Sequence, residues 1–359
     1  MVISRTPFRI SFIGGGTDYP AWFKKHGGAV LSTSIDKYCY LICRHLPPFF
    51  NERVRVVWSK IELGATIDEV QHPTARETAK YLGFKENIEI HHHGDLPARS
   101  GLGSSSAFTV GLLHALRALK GEMVSKHQLA QEAIHIEQDL VKDNVGCQDQ
   151  MAVAFGGLNR IRFAANSTTV EPIILSPERS EAFQGRLMLF FTGLSRIASD
   201  VAAGWIKNTP RNEKELQQLM KMVDAGVDIL TDPRKDIDQF GDLLHEVWSL
   251  KRGLHTDITN PFIDDIYAKA RRAGALGGKL LGAGSGGFIL IYARPEDQLA
   301  VRKALGDLLY VPFRFDQLGS QVVFYSPDVQ ARALAKNGSA GGIRVRPNKT
   351  RSKQRGKRA

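Results

Sequence analysis

Residues 95–120 read D-L-P-A-R-S-G-L-G-S-S-S-A-F-T-V-G-L-L-H-A-L-R-A-L-K, a glycine- and hydroxyl-rich loop that runs directly into a helical pattern. Phe108, Leu112, Leu113, Leu116 and Leu119 recur at helical spacing and form one apolar stripe. The loop therefore delivers Gly101, Gly103, Ser104, Ser105 and Ser106 to a helix N-terminus, where backbone N–H groups lack intrahelical partners and the macrodipole is positive. Such an end suits a phosphate, and a serine hydroxyl there can also meet Mg²⁺. The same residues equally suit an ordinary serine-capped helix after a turn. The pattern is not G-x-x-x-x-G-K-[ST], because no lysine follows Gly103, and it is not a dinucleotide fingerprint.

The rest of the chain decides between those readings. Its 359 residues can form two domains with substantial cores, and 43 % hydrophobic with 24 % charged residues is an ordinary globular balance. The net charge of +11 is concentrated at one end. From Ala331 to Ala359 there are ten Lys or Arg and no acidic residue, which leaves the body close to neutral. A tail of that composition is expected to be disordered, and it lacks the interleaved aromatics of a nucleic-acid arm. No apolar run is long enough to span a bilayer, and the N-terminus lacks a signal-peptide layout. The expectation is a cytoplasmic protein that uses neither nucleic acid nor membrane, as a monomer or homodimer. The three cysteines have no metal-binding spacing and read as core residues.

Arg5 to Ile13 alternates as a strand and breaks at Gly14-Gly15-Gly16-Thr17-Asp18, which places Asp18 at a strand end. Strands are expected within Ala29 to Arg44 and Val54 to Trp58, and a helix over Thr74 to Leu82. Ile88 to His93 forms another strand, whose alternation keeps His91, His92 and His93 from sharing one ion. Ser125 with Gln128 reads as a capping box for a helix with Leu129, Ala133, Ile136 and Leu140 on its apolar face. Asp139 and Asp143 read as solvated. The polar stretches 164–171 and 176–181 separate two halves. Arg186 to Thr192 is an apolar strand. Helices are expected near 198–208, 213–230, 236–251, 261–273 and 295–308, with closing strands at 310–315 and 321–325. Between the last of these helices, Lys279 to Gly287 forms a glycine loop before a buried strand.

P-x-x-x-G-L-G-S-S-S-A resembles the central motif of the GHMP kinases, the family named for galactokinase, homoserine kinase, mevalonate kinase and phosphomevalonate kinase. Two further segments fit in family order. T-P-F-R-I-S-F-I-G-G-G-T-D-Y is similar to the galactokinase opening A-P-G-R-V-N-L-I-G-E-H-T-D-Y, and K-L-L-G-A-G-S-G-G to the third family motif, K-x-x-G-A-G-x-G-G. Glu137 and Asp149 are also spaced as the galactokinase glutamate and aspartate are.

The resemblance implies an α+β fold of two domains. Residues 1–183 would be a ribosomal S5 domain 2-like N-terminal domain that binds ATP, residues 184–327 a ferredoxin-like C-terminal domain, and residues 328–359 the tail. It also implies roles. Asp149 would be the catalytic base with Arg9 beside it. Pro97, Gly101, Leu102, Gly103, Ser104, Ser105 and Ser106 would hold ATP, and Ser105 and Glu137 would hold Mg²⁺. Asp18, Gly15, Gly16, Thr17, Gly284 and Gly286 would bind the sugar, with Arg196 as the candidate for a distal phosphate. Gly15 and Gly16 stand where galactokinase has a glutamate and a histidine, which leaves room for a longer side arm. Within the family, the opening segment and T-G-L-S-R-I-A-S most resemble the D-glycero-D-manno-heptose 7-phosphate kinases, which phosphorylate the anomeric hydroxyl for GDP-heptose synthesis. A fucokinase- or galactokinase-like enzyme and a non-catalytic sugar-binding regulator are the alternatives.

Overall fold

The computed structural model describes residues 1–47, 49–194 and 212–326. Arg196, the expected helix at 198–208 and the tail at 328–359 lie outside the described residues. The first half of the chain builds a large sheet from β1 (Val2–Ile13), β2 (Gly28–His45), β3 (Val54–Val57), β4 (Ile61–Gly64), β5 (Ile88–Gly94), β6 (Leu158–Ala164) and β7 (Ser167–Pro172). A smaller antiparallel sheet follows, made by β8 (Leu187–Phe191), β9 (Gly277–Leu280), β10 (Phe288–Tyr292) and β11 (Leu309–Tyr310) in the order β11-β8-β10-β9. The chain then returns to the first sheet, where β12 (Phe315–Asp316) pairs with β2 and β13 (Gln321–Tyr325) pairs with β1.

The segment 29–44, expected as strand, lies within one 18-residue strand, Gly28–His45. Two other sequence expectations change here. The polar stretch after Ala164 is not a separator: β6 and β7 form a hairpin, and Pro177–Gln184 is a helix capped by Ser176. The last strand does not close the second sheet, so the division of the chain at residue 183 leaves β12 and β13 on the wrong side of it.

The described helices are α1 (Pro20–His26), α2 (Pro73–Tyr81), α3 (Ser104–Lys120), α4 (Lys126–His135), α5 (Gln148–Phe155), α6 (Pro177–Gln184), α7 (Glu213–Thr231), α8 (Gln239–Gly253), α9 (Pro261–Arg272) and α10 (Gln298–Ala304). Helix α10 is about half the expected span. The stripe read in the sequence of α3 is buried throughout, and this helix lies against β1 and β2. Gly111 permits the close approach, since a Cβ there would come within 2.9 Å of Thr6 Oγ1, and the buried Ser4 hydroxyl donates to Gly111 O at 2.7 Å.

Helix α4 is N-capped by Ser125, whose Oγ accepts from Gln128 N at 3.1 Å. The reciprocal half of the box is missing, because the Gln128 amide turns to Glu132. The helix then widens into a π-helical turn, Ile136–Leu140, a feature that is rare in helices and frequent at functional sites. Leu140, expected on the apolar face, is exposed after this change of phase.

The two sheets share their core. Phe12 at the end of β1 packs on Phe183 and Phe240, with centroids 5.4 and 5.7 Å away. The buried Lys279 of β9 donates to the carbonyls of Ser11 and Phe12, each at 2.8 Å. The second half of the chain is thus fastened to the same end of β1 that carries the glycine turn.

Candidate functional site

A cleft of about 890 Å³ opens at that end of β1, lined from β1, the loop before α3, the turn before α5 and the C-terminal part of α8. Arg9 is its structural hub. Its backbone N–H donates to Leu102 O at 3.0 Å and its Nη1 to Gly101 O at 2.7 Å. Its Nε and Nη2 reach Asp149 Oδ1 and Oδ2 at 2.8 and 2.7 Å. This is a bidentate guanidinium–carboxylate pair, which fixes orientation as well as charge. The Asp149 side chain keeps a quarter of its surface open to the cleft.

The loop before α3 takes its path from left-handed glycines. Gly101 and Gly103 have φ of 82° and 75°. A Cβ on Gly103 would sit 3.0 Å from Arg9 Cγ. The serines do not cap the helix. Gly103 occupies the N-cap, and among the described residues no side chain caps the first turn. Ser104 Oγ instead accepts from Arg99 N at 3.1 Å, while Ser105 and Ser106 donate to Glu137 at 2.8 and 2.9 Å. The free first turn therefore faces the cleft, where Gly103, Ser104, Ser105 and Ser106 are lining residues.

Glu137 is fully buried behind Ser105. Its two oxygens accept from Ser105, Ser106, Thr109 and the Gln150 amide. Burial pushes its carboxyl upward, against the pull of those four donors. Ser105, which lines the cleft, stands between Glu137 and that space.

Asp18 is buried at the Gly15–Gly16 end of the cleft. Its carboxylate accepts from Gly16 N at 2.9 Å and Gln148 N at 3.3 Å. Burial raises its pKa, partly opposed by the Gly16 N–H, and the nearby Asp149 charge raises it further. Gly146 makes this fit possible, because a Cβ there would lie 1.9 Å from Asp18 Oδ2.

Five expected site residues do not line the cleft. Thr17 is fully buried and its hydroxyl donates to the carbonyls of Gly14 and Ala29, so it shapes the turn and has no route to a ligand. Gly284 and Gly286 pack against the backbone of Ile258 and against Leu194, where a Cβ would come within 2.6 and 2.7 Å. The members of that glycine loop that line the cleft are Gly282 and Ala283. The loop also props the loop before α3, since a Cβ on Gly101 would lie 2.5 Å from Leu281 O. Pro97 is exposed and does not line the cleft, although its neighbours Leu96 and Ala98 do. Leu102 is fully buried and contributes its carbonyl to Arg9.

Other residues were missed by the sequence reading. Lys251, in the last turn of α8, reaches the cleft and donates to Gly282 O at 2.7 Å. Burial, with Arg9 nearby, brings its ammonium down to about 8. Asp143, expected on a solvated face, lines the cleft, as does Arg99. The far end is aromatic. His72 stacks on Phe108 at 4.7 Å, Trp58 meets His72 edge-on at 4.9 Å, and His92 meets Phe108 edge-on at 5.2 Å. Burial brings His92 down to about 4, so it is a neutral wall at physiological pH. His91 pairs with Glu89 at 2.8 Å, away from His92.

Comparisons with known proteins point the same way. Residues 70–157 match the GHMP kinases N terminal domain and residues 229–311 the GHMP kinases C terminal domain. The chain is 27 % identical over 326 residues to a D-glycero-alpha-D-manno-heptose 7-phosphate kinase of Campylobacter jejuni, covering 84 % of this chain and 92 % of that one. It is 27 % identical over 321 residues to a galactokinase of Thermococcus kodakarensis, covering 79 % and 86 %. Among solved structures, a D-glycero-D-manno-heptose 1-phosphate kinase from Bacteriodes thetaiotaomicron superposes with a TM-score of 0.75 at 22 % identity, over 91 % of this chain and 100 % of that one.

Proposed function

The chain belongs to the GHMP kinase family, and on that premise we propose that it transfers the γ-phosphoryl group of ATP to the anomeric hydroxyl of D-glycero-D-manno-heptose 7-phosphate. The product would be the 1,7-bisphosphate, an intermediate on the way to GDP-heptose. The observation that carries this reading is the double attachment of Arg9, to Asp149 on one side and to the phosphate loop on the other.

Phosphoryl transfer asks for an in-line hydroxyl, charge neutralisation and a group that takes the proton. The first-turn N–H groups of α3 receive the phosphates, and the aromatic end of the cleft receives the base. The donor set of Ser105 and Glu137 consists of oxygen atoms, which suits a hard cation such as Mg²⁺. Bound against Ser105 with the Glu137 charge behind it, the ion would neutralise phosphate charge. Asp149 accepts the proton of the attacking hydroxyl as that oxygen bonds to the γ-phosphorus, and the bond from phosphorus to the bridging oxygen of ADP breaks. Arg9 holds Asp149 in place and offsets charge on the group in flight.

Two features favour an acceptor with an extended, phosphorylated arm. Gly15 leaves space at the acceptor end, since a Cβ there would meet nothing closer than 3.6 Å. Lys251 brings a cation from the second half of the chain to the same cleft. A fucokinase- or galactokinase-like activity is the second reading, favoured by the identity to the Thermococcus galactokinase. ADP release measured with a panel of heptose 7-phosphate, fucose, galactose, mannose and mannose 6-phosphate separates the two. The heptose phosphate should be turned over with the highest kcat/KM. A preference for galactose or fucose would replace the first reading by the second, and binding without turnover would make the chain a sensor.

A further inference from the structure

Among the described residues, two buried polar atoms in the cleft have no hydrogen-bond partner: Ser11 Oγ and Gln148 Oε1. Their residues are only 7 % and 8 % exposed, and both line the cleft. The Ser11 hydroxyl and the Gln148 amide border one space. A Cβ built on Gly15 would lie 3.6 Å from Gln148 Nε2 and 3.8 Å from Ser11 Oγ. Buried polar groups without partners are costly, so a pair of them around an open space marks a place where a ligand completes the bonding.

The chemistry of that ligand follows from the orientation of the amide. The Gln148 amide brings its Nε2 to that space and keeps Oε1 as an acceptor with no partner among the described residues. A hydroxyl can accept from Nε2 and donate to Oε1, whereas a phosphate only accepts. Ser11 Oγ can give or accept, while its carbonyl is already taken by Lys279. An acceptor oxygen beside a carboxylate favours O–H donors and disfavours a phosphate.

We propose that Ser11 and Gln148, around Gly15, form a specificity subsite that binds hydroxyl groups on the side arm of the acceptor sugar and does not bind its phosphate. This inference rests on the sugar-kinase reading above. The phosphate would then lie beyond the subsite, toward a cation such as Lys251.

The test is calorimetric titration of the full-length protein with D-glycero-D-manno-heptose 7-phosphate and with mannose 6-phosphate, whose arm is shorter by one hydroxyl-bearing carbon. Turnover and ATP affinity are measured in parallel. Gly15 does not have a left-handed φ, so Gly15→Ala is compatible with the backbone and fills the subsite. Ser11→Ala removes one of its polar atoms. Wild type should prefer the heptose phosphate by roughly tenfold or more, as a site built to bond a hydroxyl rejects an analogue lacking it. Each variant should shrink that preference to near unity, with ATP affinity and melting temperature unchanged. If both variants keep the wild-type preference, the subsite is wrong and the kinase reading stands. If wild type binds the sugars without turning them over, the kinase reading falls and the binding data still judge the subsite. If wild type binds neither sugar, both fall.

Discussion

Arg9 Nε and Nη2 bond both oxygens of Asp149, a residue 140 positions away, while Arg9 Nη1 bonds the carbonyl of Gly101 in the loop before α3. One side chain therefore sets the distance between the group proposed to take the proton and the loop proposed to bind the phosphates. Errors of about 1 Å in that distance would cost on the order of 100-fold in rate.

Asp149→Asn keeps the shape of the side chain and removes its charge. The expected result is a fall in kcat of about 10²–10⁴-fold with little change in ATP affinity. Rapid-quench single turnovers check this, because they isolate the chemical step. A near-wild-type rate would reduce Asp149 to a sugar ligand.

Glu137 is sealed behind Ser105 by four donors. Glu137→Gln should leave the fold intact and weaken Mg²⁺ dependence by about 10–100-fold, the range seen when a residue supporting a metal site is changed. The readout is the Mg²⁺ concentration for half-maximal turnover, together with the Mg²⁺-dependent rise in melting temperature in the presence of ADP. An unchanged Mg²⁺ requirement would place the ion elsewhere.

Much of this site was legible in the sequence, and the misses have physical causes. Asp18 and Ser105 were visible beside a glycine turn and a helix start, Arg9 and Asp149 only through the family resemblance, and all four line the cleft. Thr17 was misread because its hydroxyl turns inward to satisfy the carbonyls of Gly14 and Ala29. Gly284 and Gly286 were misread because glycine serves close backbone packing as well as ligand approach. Lys251 gave no signal, since a lysine in the last turn of an amphipathic helix is ordinarily a solvated cation. The polar hairpin strand β7 has no buried residue along it, so it lacks the apolar alternation that marks a strand. Leu140 left the apolar face because the π turn shifts the helical phase, which a 3.6-residue period cannot foresee.

Lys251 links the acceptor site to pH. Its ammonium is brought down to about 8 by burial and by Arg9, so it is charged below that value and neutral above it. The kcat/KM for a sugar phosphate should therefore decline as pH rises through about 8, approaching a tenfold loss per pH unit. Lys251→Met should remove this limb and give a low value throughout. The same measurement with an unphosphorylated sugar should show a smaller effect. An identical decline in the variant would assign the titration to another group.

The most direct test is a ³¹P spectrum of the full-length protein incubated with ATP, Mg²⁺ and D-glycero-D-manno-heptose 7-phosphate. The account predicts loss of the γ-phosphate signal, appearance of ADP, and a new resonance from a phosphate on the anomeric carbon beside the retained 7-phosphate. ADP formation without an anomeric phosphate, or no reaction with this sugar under conditions where galactose or fucose is phosphorylated, would contradict it.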